Sequence, residues 1–453
     1  MLAHLNFTNF KSWSRLDMPC GRITGIFGTN SSGKSSILQF LLLLKQTREA
    51  TDRATALELN GDYVRLGTIK DAIHRHDVSS SMYWRVEFEL DENIELSDSD
   101  DPKRQLVARG TRLSVASGVT VEQMAPRAAK LEYQVGAARF ELAPKDGDPT
   151  RFELKAAGKT AFNFIRTKGR PPELRAPIKS YAFPDQARAS FQNADFLADL
   201  ETAYEKAFDS IFYLGPLREF PQRDYLYARS RPTDVGRRGE KAIDAILAAT
   251  HAGEMRRLKK RGRAKSLPFQ GMIAHWLAEL GLVAEFRVDE IAPDSNRWQA
   301  ILKTRKGGED VLLTDVGFGV SQVLPVITLL QYVPEGSTVL VEQPEIHLHP
   351  LAQAALADVI IHAARERRVQ VILESHSEHL LLRLQRRIAE ASISSDDVKL
   401  YFCDAPNGAS QLVPLELDPF GRIQNWPEKF MGDAFGETAE AEIAGLRRAA
   451  AVA

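Results

Sequence analysis

A glycine-rich stretch near the start of the chain constrains its fold more than any other feature. Gly28-Thr29-Asn30-Ser31-Ser32-Gly33-Lys34-Ser35 fits the pattern G-x-x-x-x-G-K-[S/T] at every fixed position. A short β-branched and apolar run, 22–27, comes before it, and an apolar segment of helical character, 36–45, follows it. Strand, glycine loop and helix in this order predict a phosphate-binding loop in an α/β protein.

The chemistry of this loop follows from its residue types. Glycines let consecutive backbone N–H groups point inward around phosphate oxygens, and the helix N-terminus adds the positive end of its dipole. We expect Lys34 to reach the outer phosphates of ATP and the Ser35 hydroxyl to bind Mg²⁺. The other loop residues that we assign to the nucleotide are Asn30, Ser31, Ser32, Gly33 and Ser36.

A second group of motifs lies far downstream. Residues 337–342 form an apolar strand that ends in Glu342, the Walker B pattern, in which an acid beside the phosphate loop holds Mg²⁺. The apolar run 369–373 predicts another buried strand, and His376 follows it, at the strand end where ligands bind in open parallel sheets. Glu342 is therefore a predicted metal ligand, and His376 is a predicted phosphate donor.

A glycine- and serine-containing turn precedes the Walker B strand. Gly317, Gly319 and Ser321 open an apolar helix that extends from Val323 to Leu330. A helix N-terminus of this kind is suited to an anion. The order of motifs is thus phosphate loop, long intervening segment, Gly/Ser helix start, Walker B acid and histidine.

As a set, these motifs resemble the ABC-type ATPase heads of the SMC, RecF and OLD group. Residues 316–322 take the place of the ABC signature, residues 342–350 are similar to the group's D-E-P-E-x-H-L-H-P, and residues 374–377 resemble its switch-histidine motif. The resemblance implies an α/β fold with a mixed central sheet, an antiparallel β layer and an inserted helical lobe. It also implies a homodimer with composite ATP sites, in which Gly317, Gly319 and Ser321 come from the opposite protomer.

Two further segments, 213–223 and 421–427, resemble bacterial stand-alone ATPases that carry a C-terminal domain of unknown function and occur in phage-defence loci. This narrower resemblance implies an ATP-gated switch, as a dimer or a higher oligomer, that controls a separate effector protein such as a nuclease or a toxin. The alternative is a DNA-repair or recombination ATPase that acts directly on DNA. A transporter subunit is disfavoured, because the regular Leu-Ser-Gly-Gly-Gln signature is missing.

The Walker B region departs from the pattern of the group. Glu342 and Gln343 stand where the group has Asp-Glu, and an amide cannot accept the proton of the attacking water. Either hydrolysis is slow and ATP mainly clamps two heads together, or Glu345 supplies the missing carboxylate; a neutral substitution at Gln343 is the third alternative. The predicted catalytic set is therefore Glu342, Gln343, Glu345 and His376. In the segment that resembles the ABC signature, glycine replaces the serine whose hydroxyl usually contacts the γ-phosphate. Either the Ser321 hydroxyl or backbone N–H groups would make that contact here.

The intervening segment contains alternating apolar patterns over 81–165 and helical patterns over 190–290. We expect a discontinuous ATPase lobe from 1–80 and 310–415, a β layer plus helical lobe from 81–309, and a small family-specific segment from 416–453. No long heptad repeat is present, which argues against an extended coiled-coil arm. The stretch after His376 is too short for an OLD-type nuclease domain, so an effector is expected on another chain.

Charge and composition bound the partners. Lys and Arg number 59 and Asp and Glu number 60, for a net charge of −1, which argues against a protein that coats nucleic acid with its whole surface. Most residues of one local segment, 256–265, are Lys or Arg. This basic cluster is either a binding site, for DNA or for a partner protein, or a solvated loop near a helix end. Two cysteines and the lack of a signal-peptide or membrane-spanning pattern predict a cytoplasmic protein without membrane partners.

Overall fold

The computed structural model describes residues 1–98, 106–145, 148–158, 162–260, 263–427 and 443–444. The strands are β1 (Leu2–Phe10), β2 (Trp13–Pro19), β3 (Ile23–Gly28), β4 (Met82–Ser97), β5 (Leu106–Glu122), β6 (Ala125–Val135), β7 (Ala138–Lys145), β8 (Asp148–Gly158), β9 (Ile211–Leu214), β10 (Tyr225–Leu226), β11 (Met255–Lys260), β12 (Arg263–Pro268), β13 (Glu285–Glu290), β14 (Arg297–Lys303), β15 (Val311–Leu312), β16 (Thr338–Glu342), β17 (Gln370–Glu374), β18 (Val398–Asp404) and β19 (Gln411–Leu415). The helices are α1 (Lys34–Glu49), α2 (Ile69–Ala72), α3 (Asp185–Ser190), α4 (Leu197–Asp209), α5 (Ala242–His251), α6 (Phe269–Glu279), α7 (Phe318–Tyr332), α8 (Pro350–Glu366) and α9 (Glu378–Ala389).

A six-stranded mixed sheet forms the centre of the fold, in the order β19-β18-β3-β17-β16-β9. Its strands are parallel except for β19, which pairs antiparallel with β18. The phosphate-loop strand β3 lies beside β17, and β17 separates it from the Walker B strand β16. All three strands therefore end at the same edge of the sheet, where the predicted site residues follow them.

The central sheet is buried on both faces, as is typical of parallel sheets covered by helices. Alternate residues of one strand belong to different core clusters: Leu340 packs on the α1 side, whereas Val339 and Val341 pack on the side of α7, α8 and α9. The near-continuous apolar runs of β16 and β17 follow from this two-sided burial. The sequence-based prediction of buried parallel strands here is confirmed.

A seven-stranded antiparallel sheet, ordered β2-β1-β4-β5-β6-β7-β8, packs against the α1 side of the core. It is the predicted antiparallel β layer, and the α/β fold class with a mixed central sheet is confirmed. The two sheets draw strands from across the expected lobe boundaries, because β1 and β2 pair with β4 while β9 lies in the central sheet. The division into lobes at 1–80, 81–309 and 310–415 stays a prediction.

The prediction of helices throughout 190–290 is only partly correct. The helices α4, α5 and α6 form where apolar helical periods were found, but β11 and β12 form an antiparallel hairpin between α5 and α6, and β13 pairs with β14. In β11, Arg256 and Leu258 are half-buried whereas Arg257 and Lys259 are exposed, which is a period of two. The described part of the basic cluster 256–265 is therefore a hairpin and not a loop.

The C-terminal part of the described chain completes the central sheet. β19 pairs with β18, and a bridge between Leu417 and Ile423 closes a turn after it. The expected family-specific segment 416–453 is described up to residue 427 and at 443–444, and the rest of it lies outside the described residues. Within the ranges given above, none of the helices combines the length and the apolar character that a transmembrane span requires.

Candidate nucleotide site

The phosphate loop links β3 to α1 through two glycines that other residues cannot replace. Gly33 caps α1 with φ 94°, and a Cβ added there would lie 2.4 Å from Ser410 Oγ. A Cβ on Gly28, which has φ 143°, would lie 2.1 Å from the backbone oxygen of Cys403. Ser31 is also left-handed, at φ 60°. Such a loop turns successive N–H groups inward and forms a concavity for an anion.

The lysine of the loop is almost completely buried, with 3% exposure. Its Nζ donates to the backbone oxygens of Thr29, at 2.6 Å, and Gly28, at 3.2 Å. Burial lowers the pKa of Lys34, and the nearby charge of Glu374 opposes this shift. Lys34 is therefore a cation held inside the loop at the N-terminus of α1, where the outer phosphates are expected.

The other loop residues divide into two groups. Ser32 is buried, and its hydroxyl donates to the backbone oxygen of Thr29, so its side chain stabilises the loop itself. Asn30 and Ser31 are exposed at the tip of the loop, and Ser35 and Ser36 are partly exposed in the first turn of α1. The tip and the first helical turn are thus the parts open to a ligand.

Two buried carboxylates face the loop from neighbouring strands. Glu342 ends β16 and Glu374 ends β17, and the two residues are directly paired in the parallel register. Burial raises the pKa of Glu374, and the nearby Ser35 hydroxyl and the charge of Lys34 oppose this shift. Glu342 Oε1 accepts a hydrogen bond of 2.7 Å from the hydroxyl of Tyr213, which comes from β9. Two acids, a serine hydroxyl and a lysine thus meet at one edge of the sheet.

Sequence reasoning missed Glu374 and Tyr213 as site residues. Glu374 ends an apolar strand in the same way as Glu342 does, so the rule that identified the Walker B acid also applied to it. Tyr213 carries no such local signal. It reaches the site only because β9 pairs with β16, and that pairing joins residues far apart in the sequence.

Burial raises the pKa of Glu342 to about 7, which the charge of Glu374 supports and the hydrogen bond from Tyr213 opposes. Because this pKa exceeds the ordinary value of 4.5, ionised Glu342 costs stability above pH 7, and this cost disappears as the pH falls towards 4.5. In the nucleotide-free, metal-free protein we expect Glu342→Gln to raise the free energy of unfolding by about 2–3 kcal/mol at pH 8.

The gain from Glu342→Gln should vanish near pH 4.5, where the native carboxyl is protonated and resembles the amide. Urea unfolding of both proteins across this pH range measures it. A gain that is equal at all pH values would contradict the raised pKa. The exposed pair Glu390 and Arg386 provides a control, since Glu390→Gln removes a carboxylate whose pKa is lowered and should give no such gain.

The turn after the Walker B strand holds the other predicted catalytic residues. Gln343 has the left-handed φ of 43°, its N–H donates to the backbone oxygen of Glu374, and its side chain is partly exposed. Glu345 is 6% exposed, and its Oε1 accepts a hydrogen bond of 2.7 Å from the backbone N–H of His376. Glu345 therefore ties the Walker B turn to the turn that carries the histidine.

The imidazole of His376 is exposed at this edge of the sheet. Partial burial and the charge of Lys34 lower its pKa, so the ring is neutral at pH 7. Burial likewise raises the pKa of Glu345. The structure thus brings Lys34, Ser35, Glu342, Glu345 and His376 together around one edge of the sheet.

The signature residues lie at the N-terminus of α7. Gly317 is exposed, and a Cβ built on it meets no atom within 4 Å. Gly319 packs closely against the Walker B turn, since a Cβ there would lie 3.2 Å from the backbone oxygen of His347. Ser321 is buried, and its hydroxyl donates to the backbone oxygen of Phe318. This orientation favours the backbone N–H groups of the turn, rather than the Ser321 hydroxyl, as anion donors.

Arg218, in the segment that follows β9, is 4% exposed and donates from Nη2 to the backbone oxygen of Glu342 at 3.1 Å. In contrast, Arg223, Arg237 and Arg238 are exposed and form ion pairs. Arg218 belongs to the site because the segment that leaves β9 turns inward at this point.

Several buried polar atoms of the site lack a hydrogen-bond partner among the described residues. They are Oε2 of Glu345, Oε2 of Glu374, and Nε and Nη1 of Arg218. Buried polar groups are rarely left unpaired in proteins, because each one costs free energy. Unpaired carboxylate oxygens fit a hydrated Mg²⁺, and an unpaired guanidinium fits an anion. The residues present therefore fit a magnesium–nucleotide complex.

The fold and the glycine-rich loop are those of a P-loop domain of the α/β class. The family model described as "AAA domain, putative AbiEii toxin, Type IV TA system" matches residues 23–383, which is well over half of the chain. The chain therefore belongs to this family of AAA-domain proteins. A second model, described as "Protein of unknown function (DUF3696)", matches residues 393–440 and agrees with the predicted C-terminal domain of unknown function. A search among curated proteins found no match.

Among solved structures, the chain is similar to SMC head domains. One is an SMC head bound to the C-terminal winged-helix domain of ScpA, with 13% identity, a TM-score of 0.43 and coverage of 92% of this chain and 98% of that one. The SMC head domain from Thermotoga maritima has 12% identity, a TM-score of 0.40 and coverage of 92% and 99%. A head from Pyrococcus furiosus, with an extended coiled coil and bound to the C-terminal domain of ScpA, has 12% identity, a TM-score of 0.42 and coverage of 92% and 96%.

Proposed function

We propose that the chain binds Mg²⁺-ATP at this site, hydrolyses it slowly and forms a homodimer around it. The observation that carries the proposal is the meeting of Lys34 and Ser35, at the N-terminus of α1, with the buried acids at the ends of β16 and β17. Equilibrium binding of ATP with and without Mg²⁺ tests it, and unchanged affinity on removal of Mg²⁺ would count against a metal–nucleotide site.

In this proposal each predicted residue has one role. The backbone of residues 30–36 surrounds the phosphates, and Lys34 neutralises their charge. Ser35 and Glu342 would hold Mg²⁺, which when bound neutralises charge on the phosphate oxygens. His376, neutral and exposed beside Lys34, donates to the terminal phosphate.

The water-activating position is where this chain differs from the Asp-Glu pattern. Gln343 can orient a water but cannot take its proton. Glu345 is a carboxylate, but one of its oxygens is already engaged by the N–H of His376. We therefore favour slow hydrolysis, with ATP acting mainly as a clamp, over ordinary turnover through Glu345.

The dimer rests on the exposed N-terminus of α7. Gly317 is exposed, and Phe318 beside it is 56% exposed, so the N–H groups of this turn are open to an anion on another molecule. In a composite site, the turn of one head would contact the phosphates held by the other. A ligand that binds only the paired state stabilises that state by mass action, so ATP should drive dimerisation.

Gly317→Glu tests this arrangement without disturbing the head itself. The backbone at Gly317 has φ −59° and ψ 151°, which any residue adopts, and a Cβ there meets no atom within 4 Å. We expect the variant to keep its fold and its ATP affinity as a monomer, while a carboxylate facing phosphate should weaken ATP-dependent dimerisation by about 100-fold. Light scattering with ATP and Mg²⁺ measures it. Gly317→Ala is the matched control, and an ATP-bound dimer that persists in Gly317→Glu would contradict the composite site.

The regulatory part of the proposal rests on the resemblance to stand-alone ATPases. A clamp that opens on slow hydrolysis suits a switch that gates a separate effector, a nuclease or a toxin, in the cytoplasm, with phage defence as the setting. Co-purification of a second polypeptide that leaves the chain when ATP is withheld would support this role. Its retention regardless of nucleotide would argue against gating.

The exposed basic hairpin favours the second candidate function, direct action on DNA. Arg257, Lys259 and Lys265 are exposed on it, while Arg256 is anchored to the backbone oxygen of Gln331. If the hairpin binds DNA, we expect the double variant Lys259→Glu/Lys265→Glu to bind DNA more weakly. The slope of log affinity against log salt concentration should fall by about two, the amount expected for the loss of two phosphate contacts. Fluorescence anisotropy with duplex DNA over a salt series measures it. Unchanged binding would exclude the hairpin, and DNA-stimulated ATPase activity would favour this function over the clamp.

A further inference from the structure

Two arginines of the described chain are buried, Arg218 at 4% and Arg367 at 7% exposure. They differ in how their donors are used. Arg367 follows α8 at the opposite edge of the central sheet, and its two Nη atoms donate to the backbone oxygens of Leu330, at 2.8 Å, and Val333, at 2.6 Å. Arg367 therefore joins the ends of two helices and needs no ligand.

Arg218 is left with free donors. Its Nη2 donates to the backbone oxygen of Glu342, while Nε and Nη1 have no partner, and no carboxylate of the described residues forms an ion pair with it. The charges of Glu342 and Glu345 lie near the Arg218 guanidinium without pairing with it, and a buried cation with unused donors is costly and favours a further counter-charge. The unused donors thus point to an anionic ligand.

The position of Arg218 follows from the sheet topology. β9 is the neighbour of β16 and runs parallel to it, so residues 215–218 leave β9 at the edge where Glu342 lies. Only β17 separates β16 from the phosphate-loop strand β3, a distance of two interstrand spacings or about 10 Å. An anion between the phosphate loop and Glu342 would therefore be a neighbour of Arg218.

We propose that Arg218 is a further substrate-contacting residue, whose Nε and Nη1 bind oxygens of the terminal phosphate of ATP held by the same chain. This inference rests on the proposed function. The planar guanidinium matches two phosphate oxygens at once, which a lysine ammonium does not. ADP lacks the γ-phosphate, which is the terminal phosphate of ATP, so with ADP these donors stay unused. Arg218 thereby makes the site prefer the triphosphate and links that preference to the backbone of the Walker B acid.

The test compares a non-hydrolysable ATP analogue, AMPPNP, with ADP, by titration calorimetry in the presence of Mg²⁺. We expect Arg218→Met to weaken AMPPNP binding by about 10- to 100-fold, the loss for hydrogen bonds to a charged group, and to leave ADP binding within about twofold. Arg218→Lys keeps the positive charge but lacks the planar guanidinium, so its AMPPNP affinity should lie between those of the wild type and Arg218→Met. Arg367→Met is the matched control and should not change the ratio of the two affinities.

Equal losses for AMPPNP and ADP, or no loss for either, in a folded Arg218→Met or Arg218→Lys protein would overturn the proposal. If AMPPNP binds normally but phosphate release from ATP falls, Arg218 orients the Walker B turn and does not touch the phosphate, which also overturns it. The experiment distinguishes a failure of the proposed function from a failure of the role proposed for Arg218. Wild-type protein that binds neither nucleotide rejects the proposed function, whereas normal wild-type binding with an unselective Arg218→Met rejects only the role of Arg218.

Discussion

Replacement of Lys34 by methionine is expected to weaken ATP binding by about 100-fold or more, on the order of 3 kcal/mol, because the substitution removes a buried cation from a site rich in carboxylates. Lys34 is 3% exposed and lies in the field of Glu374. Without its charge, the acids at the ends of β16 and β17 would repel the phosphates. Titration calorimetry with Mg²⁺-ATP measures the affinity directly.

Lys45 provides the matched control for this variant. It lies on the same helix, α1, and is 6% exposed, but its Nζ donates to the backbone oxygen of Phe208 and pairs with Glu49. Lys45→Met should therefore lower stability while the ATP affinity of the folded protein stays within about twofold. Equal affinities in wild type and Lys34→Met would mean that nucleotide, if bound at all, binds elsewhere.

The second large effect is expected at Gln343. Gln343→Glu keeps the size of the side chain and the left-handed backbone at φ 43°, and it adds a group that can take the proton of the attacking water. A positioned general base contributes about 10²- to 10⁴-fold, and we expect phosphate release in a single turnover to rise by about 10- to 100-fold. Rapid-quench measurement with the variant and the wild type tests this.

The hydrolysis rate of the Glu345→Gln variant distinguishes the slow ATP clamp from ordinary turnover with Glu345 as the general base. The amide oxygen can still accept the N–H of His376, so the link between the two turns is kept. With Gln343 as the cause of slow hydrolysis, the rate should change by no more than about threefold. Unchanged release in Gln343→Glu, together with loss of release in Glu345→Gln, would identify Glu345 as the base and contradict the clamp.

The sequence was most informative where function and local structure coincide. The phosphate loop, the strand that ends in Glu342 and the strand before His376 were predicted from short patterns, since each depends on residues that are neighbours in the chain. The α/β fold with its antiparallel layer was implied by the resemblance to ABC-type heads, the alternating apolar patterns over 81–165 agreed with that layer, and the structure confirms both.

What could not be predicted depends on pairing between distant segments. Tyr213 and Arg218 reach Glu342 only through the parallel pairing of β9 with β16, and no local pattern marks that pairing. The helical pattern predicted over 190–290 fails at the hairpin of β11 and β12, because basic residues occur on both of its faces and obscure the period of two. Glu374 differs from these residues, because its place at the end of the apolar run 369–373 is a local pattern that predicts a site residue.

Oligomeric mass and single-turnover phosphate release, recorded on one sample of purified protein with Mg²⁺-ATP, test the central proposal most directly. We expect a dimer that forms only with ATP and persists while phosphate is released slowly, with faster release and a shorter-lived dimer in Gln343→Glu. A protein that stays monomeric when saturated with ATP, or one that releases phosphate rapidly from a transient dimer, would contradict the ATP clamp.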